Sequence, residues 1–157
     1  MSEWLEWLQN SSLAVSISED WFPWVESVHV VCLAVVAGSI FVVDSRLIGW
    51  TSRQLRFTYV SDRLLPWTWG AFIGAAITGT LMFIAGATNY AHNTPFLIKM
   101  CLLVLAAVNM LYFQFVTFRS VQSWDTGKPI PAARAAGAVS LTVWCLVIGF
   151  GRWIGFV

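Results

Sequence analysis

Long apolar stretches separated by short polar segments dominate this chain. Four of them approach the ~20 residues that cross a bilayer as a helix, and they cover about residues 23–43, 66–87, 95–118 and 136–157. None alternates polar and apolar positions as a barrel strand does, so helices are predicted. Each of the first three begins at or just after a proline, which an opening helical turn tolerates. The pattern predicts an all-α membrane protein, a four-transmembrane-helix bundle forming one domain over residues 1–157.

Residues 1–20, before the first span, have a different pattern of polar and apolar positions. Trp4 and Trp7 share one helical stripe while acidic residues occupy the others. This spacing predicts a short amphipathic helix lying in the membrane interface. Ser18 or Asp20 is expected to cap the first span.

Basic residues predict the orientation. Seven of the nine lysines and arginines fall in the two segments 44–65 and 119–135. Positive charge favours the cytoplasmic side. Both termini and the nearly uncharged connector 88–94 are therefore expected on the outer side of the membrane. Tryptophans near both ends of the spans are expected to form two interfacial belts, with Trp124 in the inner one.

Composition limits the function. Hydrophobic residues make up 58% of the chain and charged residues 11%, against about 25% charged in soluble domains. Lipid is therefore an expected partner, and a net charge of +1 makes nucleic acid an unexpected one. The chain has no P-loop, nucleophile elbow, zinc motif or CxxC pair, so a stand-alone enzyme is not expected.

Small residues recur along the second span and predict close helix packing. Such residues let membrane helices approach one another. We expect a central bundle seam here, with a homodimer face as the alternative. The residues are Gly70, Gly74, Thr78, Gly79 and Gly86, with Met82 in the same stripe.

Ionisable side chains at membrane depth are costly and mark candidate sites. On the predicted topology one group collects at the outer end and could bind an anion, hold a metal or pass protons. The alternative is a structural clasp that pairs Glu26 with Lys99 or Arg152. The group comprises Glu26, His29, Lys99 and Arg152, with Tyr90 and His92 in the connector closing over it.

Heme b is a cofactor that such a bundle can carry. The axial pairs on offer are His29 with His92 and His29 with Met100. Copper held by His29, Cys32, His92, Met100 and Cys101 is a further chemical option, since soft ligands select Cu(I). No spacing enforces either group, so the cofactor and any metal stay unassigned.

The inner end carries its own charges. Asp44 and Arg46 end the first span and Arg119 ends the third. We expect ion pairing among these three residues.

Several motifs resemble a family of small bacterial membrane proteins of unknown function, the DUF6644 type. They are Phe22-Pro23, Glu26, His29, Gly38, Asp44-Ser45-Arg46-Leu47, Gly49, Leu65-Pro66-Trp67-Thr68-Trp69, Phe96, Lys99, Asn109 and Gly151-Arg152-Trp153. The resemblance spans nearly the whole chain. It implies a bacterial inner-membrane location without an established activity, and its polar signatures fall on Glu26, His29, Lys99 and Arg152. Members often have histidine where this chain has Gln114, and His92 does not resemble a family feature.

Three classes of function follow from these expectations. The first is an inner-membrane subunit or anchor of a larger assembly, with a redox link to heme or quinone as one option and the outer cluster as its site. The second is a small-molecule binder or transporter that uses the same cluster. The third is a purely structural assembly protein. Expected partners are other membrane or periplasmic subunits, or further copies of the chain.

Overall fold

The computed structural model describes residues 2–52 and 54–156, and its regular elements over these residues are all helical. A π-helical turn at Ile17–Trp21 joins the second helix to the third, and one at Phe113–Thr117, with a 3-10 helix at Phe118–Ser123, prolongs the sixth. The helices are α1 (Ser2–Gln9), α2 (Ser12–Ser16), α3 (Phe22–Ile48), α4 (Phe57–Ala85), α5 (Ala87–His92), α6 (Thr94–Tyr112) and α7 (Pro131–Trp153).

Four continuous helical stretches are long and apolar enough to cross a membrane, which agrees with the four predicted spans. They are Ser12–Ile48, Phe57–Ala85, Thr94–Ser123 and Pro131–Phe156. Each begins before its apolar stretch, because backbone hydrogen bonding continues where the side chains turn polar. The second ends at Ala85, two residues before the predicted end of its span. Pro66 accordingly lies inside α4, so the prediction that it opens a helix is wrong.

The start of the first long helix also differs from expectation. The Ser11 hydroxyl accepts a hydrogen bond from the Ala14 N–H at 3.3 Å. Ser18 donates to the Val15 carbonyl at 2.9 Å. Because the helix runs on through Ser18 and Asp20, neither caps it, and that prediction is wrong.

Helix α1 forms as predicted and lies against α5. Gln9 Oε1 accepts hydrogen bonds from the Thr88 N–H at 3.1 Å and from its hydroxyl at 2.6 Å. Leu5 is buried beneath α1, whereas Trp4 and Trp7 are 60% and 69% exposed. The aromatic stripe therefore faces away from the protein, as an interfacial helix requires.

The long helices pack in the order α4, α3, α7, α6, with α3 between α4 and α7. We call the end that holds α1, α5 and the residues just after α7 the terminal end. The opposite end, with the connections after α3 and before α7, is the loop end.

The α3–α4 seam contains part of the predicted small-residue stripe. A Cβ atom added at Gly74 would lie 2.8 Å from Cys32 Sγ, and Thr68 donates to the Ser39 hydroxyl oxygen at 2.7 Å. Thr78 and Gly79 continue the seam, whereas Gly70 has open space beside it. Positions four apart drift by about 40° around a helix, so one stripe from Gly70 to Gly86 cannot face a single neighbour.

Arg46 organises the loop end. Its side chain is 0% exposed. Nε donates to the Leu55 carbonyl at 3.1 Å, and Nη2 donates to the carbonyls of Asp125 at 3.1 Å and Gly127 at 3.5 Å. The Asp125 carboxylate accepts from the Thr58 N–H at 2.8 Å and from its hydroxyl at 3.0 Å, which satisfies the start of α4.

The expected ion pairing at this end takes another form. Asp44 is buried, and its Oδ2 has no hydrogen-bond partner among the described residues, while Arg46 binds carbonyl groups and Arg119 is exposed. No ion pair joins these three side chains in the described parts of the chain. Asp44 and Arg46 are two residues apart, so they lie on opposite sides of α3.

An apolar core lies beside Arg46 and the loop carbonyl groups that it binds. It comprises Leu47, Phe57, Val121, Trp124 and Ala133. Trp124 is 2% exposed, and its ring centroid lies 5.3 Å from that of Phe57. The expectation of an interfacial Trp124 is therefore wrong, because the loop folds the indole inward.

We expect Arg46→Met to lower the free energy of unfolding by ~3 kcal/mol or more, because charge-assisted hydrogen bonds contribute about 1.5–3 kcal/mol each and three carbonyl groups lose their donor. Thermal or denaturant unfolding in micelles measures the change. Arg119→Met, at an exposed position, is the matched control. Equal stability of the two variants would contradict the role of the Arg46 hydrogen bonds in holding the two loop-end connections.

Two glycines of α7 provide a second test. A Cβ at Gly137 would lie 2.9 Å from Leu47 Cβ and 3.2 Å from the Asp44 carbonyl oxygen, whereas Gly149 has nothing within 4 Å. Gly137→Ala should lower the unfolding midpoint by separating α3 from α7. Gly149→Ala should leave it unchanged or raise it, because alanine favours helix by ~1 kcal/mol. The reverse order in a thermal unfolding series would show that α3 and α7 are not in close contact here.

Candidate functional site at the terminal end

A cavity of about 270 Å³ opens at the terminal end. It lies among the turn before α3, the end of α4, the helix α5 and the residues after α7. Side chains from all four segments form its wall, which mixes apolar groups with amides and hydroxyls. The lining residues are Ser18, Phe22, Ala85, Gly86, Asn89, Tyr90, Asn93, Ile154 and Gly155. We call this the terminal cavity.

Tyr90 forms one wall of the terminal cavity. Its ring centroid lies 5.5 Å from that of Phe96, which stacks on Phe83 at 5.6 Å. A Cβ atom at Gly86 would lie 3.1 Å from the Tyr90 ring, so a larger residue here would require the ring to shift by a few tenths of an ångström. Burial raises the pKa of Tyr90, and the Glu26 carboxylate raises it further. The phenol is therefore a neutral hydrogen-bond donor at physiological pH.

His29 faces α4. Its Nδ1 lies 2.9 Å from Thr78 Oγ1, and the ring also bonds the Ala75 backbone. The Thr78 hydroxyl donates its proton to the Gly74 carbonyl at 2.7 Å, so its oxygen accepts from Nδ1–H. This network assigns the Nδ1–H tautomer and leaves Nε2 as the acceptor of the ring.

Lys99 lies one turn into α6 and is half-buried. A Cβ atom at Gly151 of α7 would lie 3.4 Å from Nζ and 3.6 Å from Cε. The lysine stem thus lies over a helix position that has no side chain. The ammonium group is within electrostatic reach of His29, and no carboxylate of the described residues forms an ion pair with it.

Arg152 lies one step further toward the terminal end. Its guanidinium carbon is 4.7 Å from the centroid of the Phe156 ring, a cation–π distance. A Cβ atom at Gly155 would lie 3.9 Å from Arg152 Nη1, and Gly155 lines the terminal cavity. Gly155 belongs to the 3-10 helix at Ile154–Phe156 that follows α7.

Glu26 does not form the predicted clasp among the described residues. It is exposed and acts on His29 and Tyr90 only through its charge. Helix α3, which carries Glu26, has no extended contact with α6, which carries Lys99. The alternative partner, Arg152, stacks on Phe156 instead.

The candidate heme and copper ligands are spread over several surfaces. Met100 is 45% exposed on α6, and His92 is exposed on α5, whereas His29 faces α4. Cys32 packs against Gly74, and Cys101 is exposed. Over residues 2–52 and 54–156, no group of three or more His, Cys, Asp or Glu side chains could hold a metal ion.

The sequence reasoning did not assign a role to several residues that shape the site. Asn93 accepts from the Phe96 N–H at 3.0 Å and donates to the Ile154 carbonyl at 3.4 Å, and so ties α6 to the end of α7. The Asn-Thr-Pro start of α6 was a readable capping signal. Gly86 was predicted as a helix-packing residue and Gly151 only as part of a family motif. Their contacts with Tyr90 and Lys99 carried no signal, because these depend on which side chain lies opposite.

The fold and this site define an all-helical protein with four helices able to span a membrane and a polar cavity at one end. A family model described as a family of unknown function (DUF6644) matches residues 4–157, so the chain belongs to that family. No curated protein and no solved structure matches it.

The electrostatic link between Glu26 and Tyr90 predicts a measurable titration. In a Tyr59→Phe, Tyr112→Phe background, Tyr90 is the one remaining tyrosine, and its phenolate absorbance should rise at a pH above 10. Adding Glu26→Gln removes a negative charge that opposes ionisation, so the midpoint should fall toward the ordinary tyrosine pKa. The exposed carboxylate Glu19 gives the control variant Glu19→Gln. Equal midpoints in the Glu26 and Glu19 variants would contradict the link.

Proposed function

We propose that this chain is the integral-membrane, ligand-receiving subunit of a larger assembly in a bacterial inner membrane. In this proposal both termini face the periplasm, so the terminal cavity opens on that side. The ligand is a small molecule with an anionic group, bound beside Lys99 and Arg152.

The observation that carries the proposal is the environment of Lys99. A half-buried ammonium group at membrane depth needs a compensating partner. The described residues supply no carboxylate at ion-pair distance, and Gly151, on which the lysine stem lies, has no side chain that could bond the ammonium group. An anion at this position would complete the charge balance that the expected clasp does not provide.

The neighbouring groups suit the same ligand. Tyr90 supplies a neutral hydroxyl donor in the wall of the terminal cavity, and Arg152, near the end of α7, supplies a second cation at the terminal end. His29 Nε2 adds an acceptor for a ligand hydroxyl or amide. Such a combination of charged and neutral groups recognises a head group by orientation as well as by charge.

Membership of an assembly follows from the limited mass outside the four long helices. Apart from α1, α5 and the two loop-end connections, the described chain is helix that can lie in a membrane. The terminal cavity holds no nucleophile–base pair, so chemistry on the ligand would need another subunit. Heme and electron transfer gain no support from the spread of His29, His92 and Met100, and they are not part of the proposal.

Native mass spectrometry of gently extracted protein tests the proposal. The wild type should carry an anionic adduct, and Lys99→Met should reduce its occupancy at least tenfold. Lys128→Met provides a closely matched control, because Lys128 is the other lysine of the chain and is exposed at the loop end. It should retain the adduct. Equal occupancy in the two variants, or a wild type without any adduct, would refute the proposed site.

A further inference from the structure

Asp44 is a buried carboxyl group in the contact between α3 and α7, at the loop end and far from the terminal cavity. Its side chain is 5% exposed, and its buried Oδ2 has no hydrogen-bond partner among the described residues. A Cβ atom added at Gly137 would lie 3.2 Å from the Asp44 carbonyl oxygen, so the backbone of α7 passes directly beside this residue. The Ser140 side chain, one turn further along α7, lies within reach of the carboxyl group.

The charged residues around Asp44 do not balance a negative charge on it. Arg46 lies on the opposite side of α3, where its guanidinium donates to loop carbonyls. No charged side chain of residues 2–52 and 54–156 acts on the Asp44 carboxyl group. The other charged residues in the loop-end halves of the helices packed against α3 are exposed, namely Arg134 of α7 and Asp62 and Arg63 of α4.

An ionised carboxylate enclosed in this way would be costly, so it needs an occupant that removes or balances its charge. A hard metal cation takes six or more oxygen ligands. In the part of the chain that the structure describes, no group of three or more His, Cys, Asp or Glu side chains could hold such an ion. A proton needs no coordination sphere, and it converts the carboxylate into a neutral group that both donates and accepts hydrogen bonds.

We propose that Asp44 is a proton-binding site and that its bound proton keeps α3 and α7 in contact at the loop end. With the proton bound, the group beside Gly137 and Leu47 is neutral. Loss of the proton would leave a full negative charge between two helices whose backbones touch, so the helices would separate or admit water. In the proposed topology the loop end faces the cytoplasm, which is then the source of the proton.

Infrared spectroscopy of the full-length protein in micelles, with ¹³C in the aspartate side-chain carboxyl groups, tests the site. At neutral pH the wild type should show a protonated-acid C=O band that shifts with the label, because Asp20 and Asp62 are exposed and Asp125 accepts two hydrogen bonds. Asp44→Asn should lose the band, and Asp62→Asn should keep it. A wild type without the band, or a band that persists in Asp44→Asn, would overturn the proposal.

Thermal unfolding as a function of pH tests the link between the proton and the helix contact. At neutral pH the neutral amide of Asp44→Asn should preserve the wild-type midpoint. At alkaline pH, where Asp44 gives up its proton, the wild-type midpoint should fall below that of Asp44→Asn, and Asp62→Asn should follow the wild type. Equal midpoints of wild type and Asp44→Asn at every pH would refute the link. A wild-type midpoint that rises in sodium chloride but not in choline chloride, and does so only with Asp44 present, would replace the proton by a metal cation.

Discussion

The buried guanidinium of Arg46 closes one end of this helix bundle. Loop carbonyls that fold away from water need donors, and Arg46 serves both loop-end connections at once through Leu55, Asp125 and Gly127. With the loops held, Asp125 can satisfy the first turn of α4, and Trp124 can enter the core. One side chain therefore positions the end of α3, the start of α4 and the connection that leads to α7.

The terminal end is built differently, and the contrast suits a binding site. Its helices are joined by long-range contacts such as Asn93 to Ile154 and Gln9 to Thr88, which leave a cavity between them. Glycines at positions 86 and 151 give up packing so that Tyr90 and Lys99 can occupy their places. A rigid loop end and an open terminal end divide the chain into a scaffold and a receiving surface.

Hydropathy predicted the number of long helices because lipid leaves the backbone no alternative partner. It could not predict their ends, since the helix continues through polar residues such as Asp62. The prediction that the small residues of α4 form one seam was also wrong. Positions four apart drift around the helix, and the seam depends on which neighbouring helix packs there. The positions of Glu26, His29 and Lys99 near the same end of the long helices followed from counting residues. The absence of an ion pair between Glu26 and Lys99 among the described residues could not be predicted in this way. It depends on α7 separating α3 from α6 in the packing order.

Lys99 admits two physical accounts, and they differ in what they require of α7. A lysine that only reaches for the interface needs a flexible stem and water at its tip, so the residue opposite its ammonium group would be of little consequence. A lysine that holds an anion needs a stem held in one place, and the residue opposite it then matters. The Lys99 stem lies over Gly151, since an added Cβ would lie 3.4 Å from Nζ and 3.6 Å from Cε, and no carboxylate of the described residues forms an ion pair with the ammonium group. A lysine stem packed on a glycine and a cation without a carboxylate partner among the described residues favour the second account.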